Sequence, residues 1–386
     1  MLSKIEQLIE KIELKLIQTR RELHRIPELA FKEKKTAAFI KNRLDELGIP
    51  CVSGIAKTGI VATIEGTVSG NGKVLAIRAD MDALPIHEET GVDYASTHDG
   101  FMHACGHDAH VAILLATAEV LTQLKDEFFG TVKLIFQPAE EAAGGAKPMI
   151  DEGIFENPTV DACIALHVWP DLSAGTVQVK DGAVFASPDI FNLTIKGRGG
   201  HGAMPELCVN PLSVGAEILQ KLHDIPNEIE ERCVVTVCAL NGGDFNTIIP
   251  DTVELKGTAR AFSHEVRKQV AETIEQNIAE ICEKYHADFK LDYKYLYPPT
   301  INDAEMSRVV FDVTTQVAGD CADFGGEPSM GGEDFAYYAE KVPSCIFRLG
   351  CSAEYPFHNP KFDIDERCLS VGVKVFVSAA LKYLAI

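Results

Sequence analysis

The residues best suited to chemistry lie in short runs spread along the chain. Residues 103–110 read HACGHDAH, in which Cys105 and His107 are separated by one residue. A thiolate and an imidazole are good ligands for zinc-like metals. Singly they also fit a bland reading, since a buried Cys is commonly inert packing. Residues 137–141 read QPAEE and close the apolar run VKLIF. Adjacent carboxylates such as Glu140 and Glu141 repel, and near the buried edge of a sheet they call for cations or protons. In a bent loop one can bind metal while its neighbour handles protons; a solvated acidic loop is the alternative. His167 lies in LHVWP, beside the only Trp of the chain. His358 lies in FHNP, a Pro-flanked loop. The run RADMDALP at 78–85 carries two acids, Asp80 and Asp82, off a buried strand, and one could orient a liganding His. Each run alone has an ordinary explanation. Together they make a metal-site inventory with acid/base capacity beside it.

Nine runs extend this pattern: RELHRIPELAF, RADMDALP, MHACGHDAH, FQPAEE, LHVWP, GRGGHGAMP, NTIIPD, GGEDF and FHNP. Their order resembles the aminoacylase, hippurate-hydrolase and auxin-conjugate-hydrolase branch of the di-metal, metallopeptidase-like amidohydrolases, the N-acyl-L-amino acid amidohydrolase family. The resemblance runs from about residue 20 to the end. It implies two divalent metal ions per subunit, with Cys105 bridging and His107, Glu141, His167 and His358 completing the ligands. It implies Glu140 as the general base for a metal-activated water and Asp82 as an orienting acid. His201 would reach the substrate carbonyl, commonly across a dimer interface, and help hold the oxyanion. Asn246 and Arg260 occupy positions that contact the substrate in relatives, often its carboxylate; for Arg260 a surface salt bridge is the competing reading. Glu333 and Asp334 match a motif whose role is either structural or site-shaping. The wider superfamily has a liganding His where this chain has Asp80, and a bridging Asp in place of Cys105. The metal therefore stays open: zinc or manganese first, cobalt or nickel also.

The expected activity is hydrolysis of the amide of N-acyl-amino acids by a homodimer. An N-acetyl-diaminopimelate deacetylase or a small-peptide carboxypeptidase would use the same site. A non-catalytic metal- or ligand-binding relative is a further alternative, which the retention of Glu140 beside Glu141 opposes. The glycines of GRGGHG (Gly197, Gly199, Gly202) satisfy a G-x-G-x-x-G spacing. Pro205 and Asn210-Pro211 delay the next helix, so these glycines cannot cap it around a pyrophosphate, and the dinucleotide reading is rejected.

The elements that must position these residues follow from periodicity. Helices are expected up to the Ile26-Pro27 step, over Lys34 to Leu47 with Gly48 as terminator, at about 107–124 and near 145–152. The runs VLAI, VKLIF and CIAL predict strands buried on both faces, hence an α/β layered sheet. From about 187 the texture becomes β-α-β-β-α-β, a ferredoxin-like unit, with helices at Asn210-Pro211 to about Leu222 and near 264–285. A closing helix begins at about Glu366. The expected organisation is a discontinuous catalytic domain, 1–186 plus 298–386, with a ferredoxin-like lid or dimerisation domain inserted at 187–297.

Composition bounds the partners. The 386 residues carry 36 Lys+Arg against 57 Asp+Glu, a net charge of −21. That balance argues against nucleic-acid or anionic-membrane binding. No run approaches the ~20 apolar residues of a membrane span, and the start lacks a signal-peptide pattern. The 11 Cys have scattered spacings without a C-x-x-C pair, as expected for reduced thiols in a cytoplasmic protein.

Overall fold

Apolar runs without polar alternation form the central strands here, because a strand covered on both faces has no solvent side to decorate. Val74–Asp80 and Thr131–Gln137 are buried essentially throughout. In the computed structural model, which describes residues 1–70, 72–142 and 144–385, two units separate. One holds Met1–Gly182, Asn302–Glu327 and Tyr337–Ile386; the other holds Ala183–Ile301 and Pro328–Ala336.

The larger unit is built on a mixed sheet of eight strands among the described residues. Its order is Cys51–Ile55, Gly59–Glu65, Thr131–Gln137, Val74–Asp80, Ala162–Trp169, Ser344–Gly350, Val177–Val179, Ala322–Phe324. The third to sixth of these strands run parallel to one another, so their C-terminal ends share one edge. Ligands of open α/β sheets collect at that edge. Helices Leu2–His24, His107–Gln123 and Arg367–Leu384 pack together over one face. Into that layer alternate strand residues such as Ile77, Leu134, Ile164 and Phe347 are buried; each contributes roughly 1.5–3 kcal/mol. The intervening residues turn the other way, among them Arg78, Asp80, Lys133, Gln137 and His167, all buried. Lys133 satisfies its ammonium on three carbonyls, those of Ile154 (2.9 Å), Glu156 (2.6 Å) and Pro158 (2.8 Å).

Helix boundaries follow local chemistry. Lys34–Glu46 ends before Gly48, whose φ of +65° is the left-handed conformation a helix terminator needs. His107–Gln123 begins after Gly106, at φ +83°. A Cβ there would lie 2.4 Å from Val168 Cγ2, so backbone geometry and packing both require glycine.

The smaller unit has a four-stranded antiparallel sheet ordered Cys233–Asn241, Thr252–Ala261, Asp189–Lys196, Asp288–Lys294. With helices Pro211–Glu228 and His264–Tyr285 this gives the β-α-β-β-α-β succession of a ferredoxin-like fold. Asn210 caps the first helix by accepting Leu212 N–H, and Ser263 caps the second by accepting Val266 N–H. The first helix runs on past Leu222 to Glu228 with Pro226 inside it, and Ile225 is still buried in the core. Residues 328–336 belong with this unit: Ala186 N–H donates to Ser329 O, Thr300 Oγ1 to Glu333 O, and Arg260 Nε to Met330 O. Those bonds span long stretches of chain, and a boundary at 297 does not anticipate them. No helix among the described residues is long and apolar enough to cross a membrane.

Candidate metal centre

The parallel strands deliver their acids and imidazoles to one edge of the larger unit. His107, the first residue of its helix, points Nδ1 at the Asp82 carbonyl oxygen, 2.9 Å away. That bond places the proton on Nδ1 and turns the lone pair of Nε2 outward, the arrangement of a metal-ligating imidazole. Nε2 is buried and has no hydrogen-bond partner among the described residues. His167 repeats the arrangement, with Nδ1 2.7 Å from Val168 O and Nε2 3.6 Å from Cys105 Sγ. His358, itself left-handed at φ +62°, brings Nε2 to 3.2 Å from Glu141 Oε1. Three overlapping sets, Cys105/His107/His167, Cys105/Glu141/His358 and His107/Glu140/Glu141, each hold their donor atoms within 4.8 Å of one another. All five residues expected as ligands, and Glu140, are thereby gathered in one place.

The loop carrying Glu140 and Glu141 is fixed by other carboxylates. Asp82 accepts Glu140 N–H on Oδ1 and Glu141 N–H on Oδ2, both at 3.0 Å, and its Oδ1 lies 3.4 Å from His107 Nδ1. Glu33, absent from the sequence-based set, accepts Ala139 N–H at 3.0 Å.

Electrostatically the cluster wants a cation. Burial pushes the Cys105 thiol well above its ordinary range, and Glu141, Glu140 and Asp80 push it further. Burial pulls His107 down, yet Asp80 and Asp82 outweigh it and raise the imidazole to about 10. Glu141 is lowered: burial opposes ionisation, but the hydrogen bond from His358 and the charge of His107 prevail. A thiol, three imidazoles and adjacent carboxylates, with a buried ring nitrogen left unbonded, fit divalent transition metals.

Two further groups support the cluster and were not singled out from sequence. His110, in the same motif, lies Nδ1 to Oδ1 2.5 Å from Asp80, whose other oxygen takes Arg78 Nη1 at 2.6 Å. Arg20, fully buried, donates from Nε to Asp108 Oδ2 at 2.9 Å, and His24 Nδ1 meets the same oxygen at 2.7 Å. The first helix thus grips the first turn of the helix that opens with His107.

The remaining expected residues lie in the smaller unit. His201 is exposed, pairs with Ile248 in a two-stranded ribbon, and accepts Ala203 N–H on Nδ1 at 3.0 Å. Asn246 is exposed. Arg260 donates to the carbonyls of Met330 (3.2 Å), Ala259 (3.0 Å) and Asp189 (3.4 Å) and to Thr258 Oγ1. These partners are not carboxylates, so the surface-salt-bridge reading of Arg260 is not what its hydrogen bonds show. Glu333 and Asp334 are buried. The glycines of the GRGGHG run serve close packing: a Cβ on Gly199 would meet Ile249 O at 2.5 Å.

The profile of Peptidase family M20/M25/M40 matches residues 76–382. The chain belongs to that family. An N-acetyl-L-cysteine deacetylase of Bacillus subtilis is 39% identical over 368 residues, spanning 94% of this chain and 86% of the relative. An N-acyl-L-amino acid amidohydrolase of Geobacillus stearothermophilus is 38% identical over 302 residues, spanning 77% and 80%. The crystal structure of the Bacillus subtilis YXEP protein, a dinuclear metal binding peptidase from the M20 family, superimposes with a TM-score of 0.88 at 35% identity, covering 97% of this chain and 99% of that one. This M20 member is a hydrolase of the amidohydrolase kind, with the fold of a dinuclear metal-binding peptidase and matching clusters of candidate ligands.

Proposed function

We propose that the chain hydrolyses the amide bond of N-acyl-amino acids, releasing a carboxylic acid and a free amino acid. The observation that supports this most directly is the grip of Asp82 on the amides of both Glu140 and Glu141. One carboxyl group thereby fixes a candidate ligand and a candidate base side by side. Cys105, His107, Glu141, His167 and His358 would hold two divalent ions, zinc or manganese in first place. Bound there, the ions supply Lewis acidity and lower the pKa of a coordinated water from ~15.7 toward ~7. Glu140 takes the proton released as the water oxygen bonds to the acyl carbon. It then delivers that proton to the amide nitrogen as the C–N bond breaks, because an amine leaves poorly without one. Asp82 keeps His107 oriented through its carbonyl oxygen.

His201 accepts on Nδ1, which puts its proton on Nε2. Acting from a partner subunit of a homodimer, it would donate that proton as a hydrogen bond to the developing oxyanion. Asn246 and Arg260 would face the substrate carboxylate. Metal-reconstituted protein should cleave at least one of N-acetyl-methionine, hippurate and N-acetyl-diaminopimelate; no cleavage with zinc, manganese, cobalt or nickel would sink the reading. Cleavage confined to the last substrate, or to small peptides, would favour the deacetylase or carboxypeptidase alternative. Mixing His201→Ala with Glu140→Ala subunits should restore activity if His201 acts in trans.

A further inference from the structure

Glu33 is fully buried and lies at the junction of three segments that are distant in sequence. Its Oε1 accepts Phe31 N–H at 2.9 Å and Ala139 N–H at 3.0 Å; its Oε2 accepts the Thr58 hydroxyl at 2.6 Å. Phe31 and Ala139 are both left-handed, at φ +60° and +58°, and Thr58 follows the left-handed pair Ala56 and Lys57. A non-glycine residue in that region is strained and persists only where its surroundings dictate it. Ala139 immediately precedes Glu140. With Asp82, three consecutive amides, those of Ala139, Glu140 and Glu141, are held by two carboxylates. The contacts of Glu33 are those of a template for a strained turn: short, buried, and on Oε1 made to two backbone amides.

We propose that Glu33 is a positioning residue for the reaction: it holds Ala139 left-handed and thereby sets where Glu140 and Glu141 point. The inference rests on the proposed roles of those two residues. What matters is the reach of Oε1, the oxygen that accepts both amides. Glutamine keeps an acceptor for both amides and can still meet Thr58, whereas aspartate keeps the charge and falls short of Ala139 by a methylene.

The test compares Glu33→Gln and Glu33→Asp in the full chain. At saturating zinc, Glu33→Asp should lower kcat at least about 10-fold with KM changed less than about 3-fold, since displacements near 1 Å can cost ~100-fold in rate. Glu33→Gln should stay within about 3-fold in kcat on the same scale. Calorimetric zinc titration should show the weaker site loosened about 10-fold in Glu33→Asp only, as for other residues that orient ligands. Equal impairment of both variants, or wild-type kcat and zinc affinity in Glu33→Asp, would overturn the inference. A wild-type protein inactive on every acyl-amino acid would refute the proposed function instead, and the zinc titration would still decide the role of Glu33.

Discussion

Asp80 and His110 meet at 2.5 Å, Oδ1 to Nδ1, while Val168 N–H donates to the other nitrogen of the same ring at 2.9 Å. Both ring nitrogens are therefore engaged, and His110 buttresses Asp80 without a lone pair left for metal. Burial opposes ionisation of Asp80, but Arg78, His107 and His110 together hold it well below the usual carboxylate range. The His110→Asn variant should keep two metals per chain and lose about 10–100-fold in metal affinity. Loss of one metal outright, read by calorimetry, would instead make His110 a ligand.

Glu140 is the residue whose removal should cost most in turnover. Glu140→Ala is expected to lower kcat by about 10²–10⁴-fold with little change in KM, because a proton shuttle acts mainly in the transition state. Steady-state kinetics on whichever acyl-amino acid is cleaved check this. Near-full activity would remove Glu140 from the mechanism.

Metal binding must displace protons. His107 carries one up to about 10 in the metal-free cluster, pushed there by Asp80 and Asp82 against the pull of burial, and burial with Glu141 keeps Cys105 a thiol. Metal affinity should consequently rise as pH rises, with protons released on binding. A chelator should lower the melting temperature; at 100-fold excess over Kd, bound metal contributes about 2.7 kcal/mol. An affinity flat in pH would contradict the assigned ligands.

The buried network on the first helix sets a different pH dependence. Burial and Arg20 pull His24 down, but Asp108 and Glu88 outweigh them and leave it raised. A raised imidazole contributes stability that is fully present below its unfolded pKa of ~6.5 and lost as pH climbs through the folded value. In chelator-treated protein, the melting-temperature gap between wild type and Asp108→Asn should be wider at pH 6 than at pH 9. A gap that widens with pH would reverse the assignment.

Gly106→Ala forces an L side chain at φ +83° and a Cβ 2.4 Å from Val168 Cγ2. It should destabilise by roughly 1–3 kcal/mol and weaken metal binding through the shifted helix start. Chemical denaturation and zinc titration measure the two effects. A variant as stable as wild type would show that Val168 can yield.

Cys105, His107, His167 and His358 stood out in the sequence locally, as thiol and imidazole donors in short runs, while their grouping as one ligand set was implied by the family resemblance. Strands and caps were legible for the same local reason, as with Gly48 and Asn210-Pro211. The supporting shell was not. Glu33 meets Ala139 106 residues later, and Arg20 meets Asp108 88 residues later. Nothing local distinguishes these acids and bases from the many that lie on the surface. His110 was hidden in another way, since the motif that names it does not say that both its nitrogens are already used.

The ammonium of Lys133 gives the sheet a means of rejecting misalignment. The strand Thr131–Gln137 ends at the loop bearing Glu140 and Glu141, and its residues alternate strictly between the apolar helix layer and the opposite face. A slip of one position would turn Lys133 toward Leu134's neighbours, away from its three carbonyls, and an unpaired buried cation costs several kcal/mol. A sheet paired in that register would be disfavoured against the native one by that cost. The register that carries Glu140 and Glu141 is in this way favoured by an ammonium bonded to three backbone carbonyls.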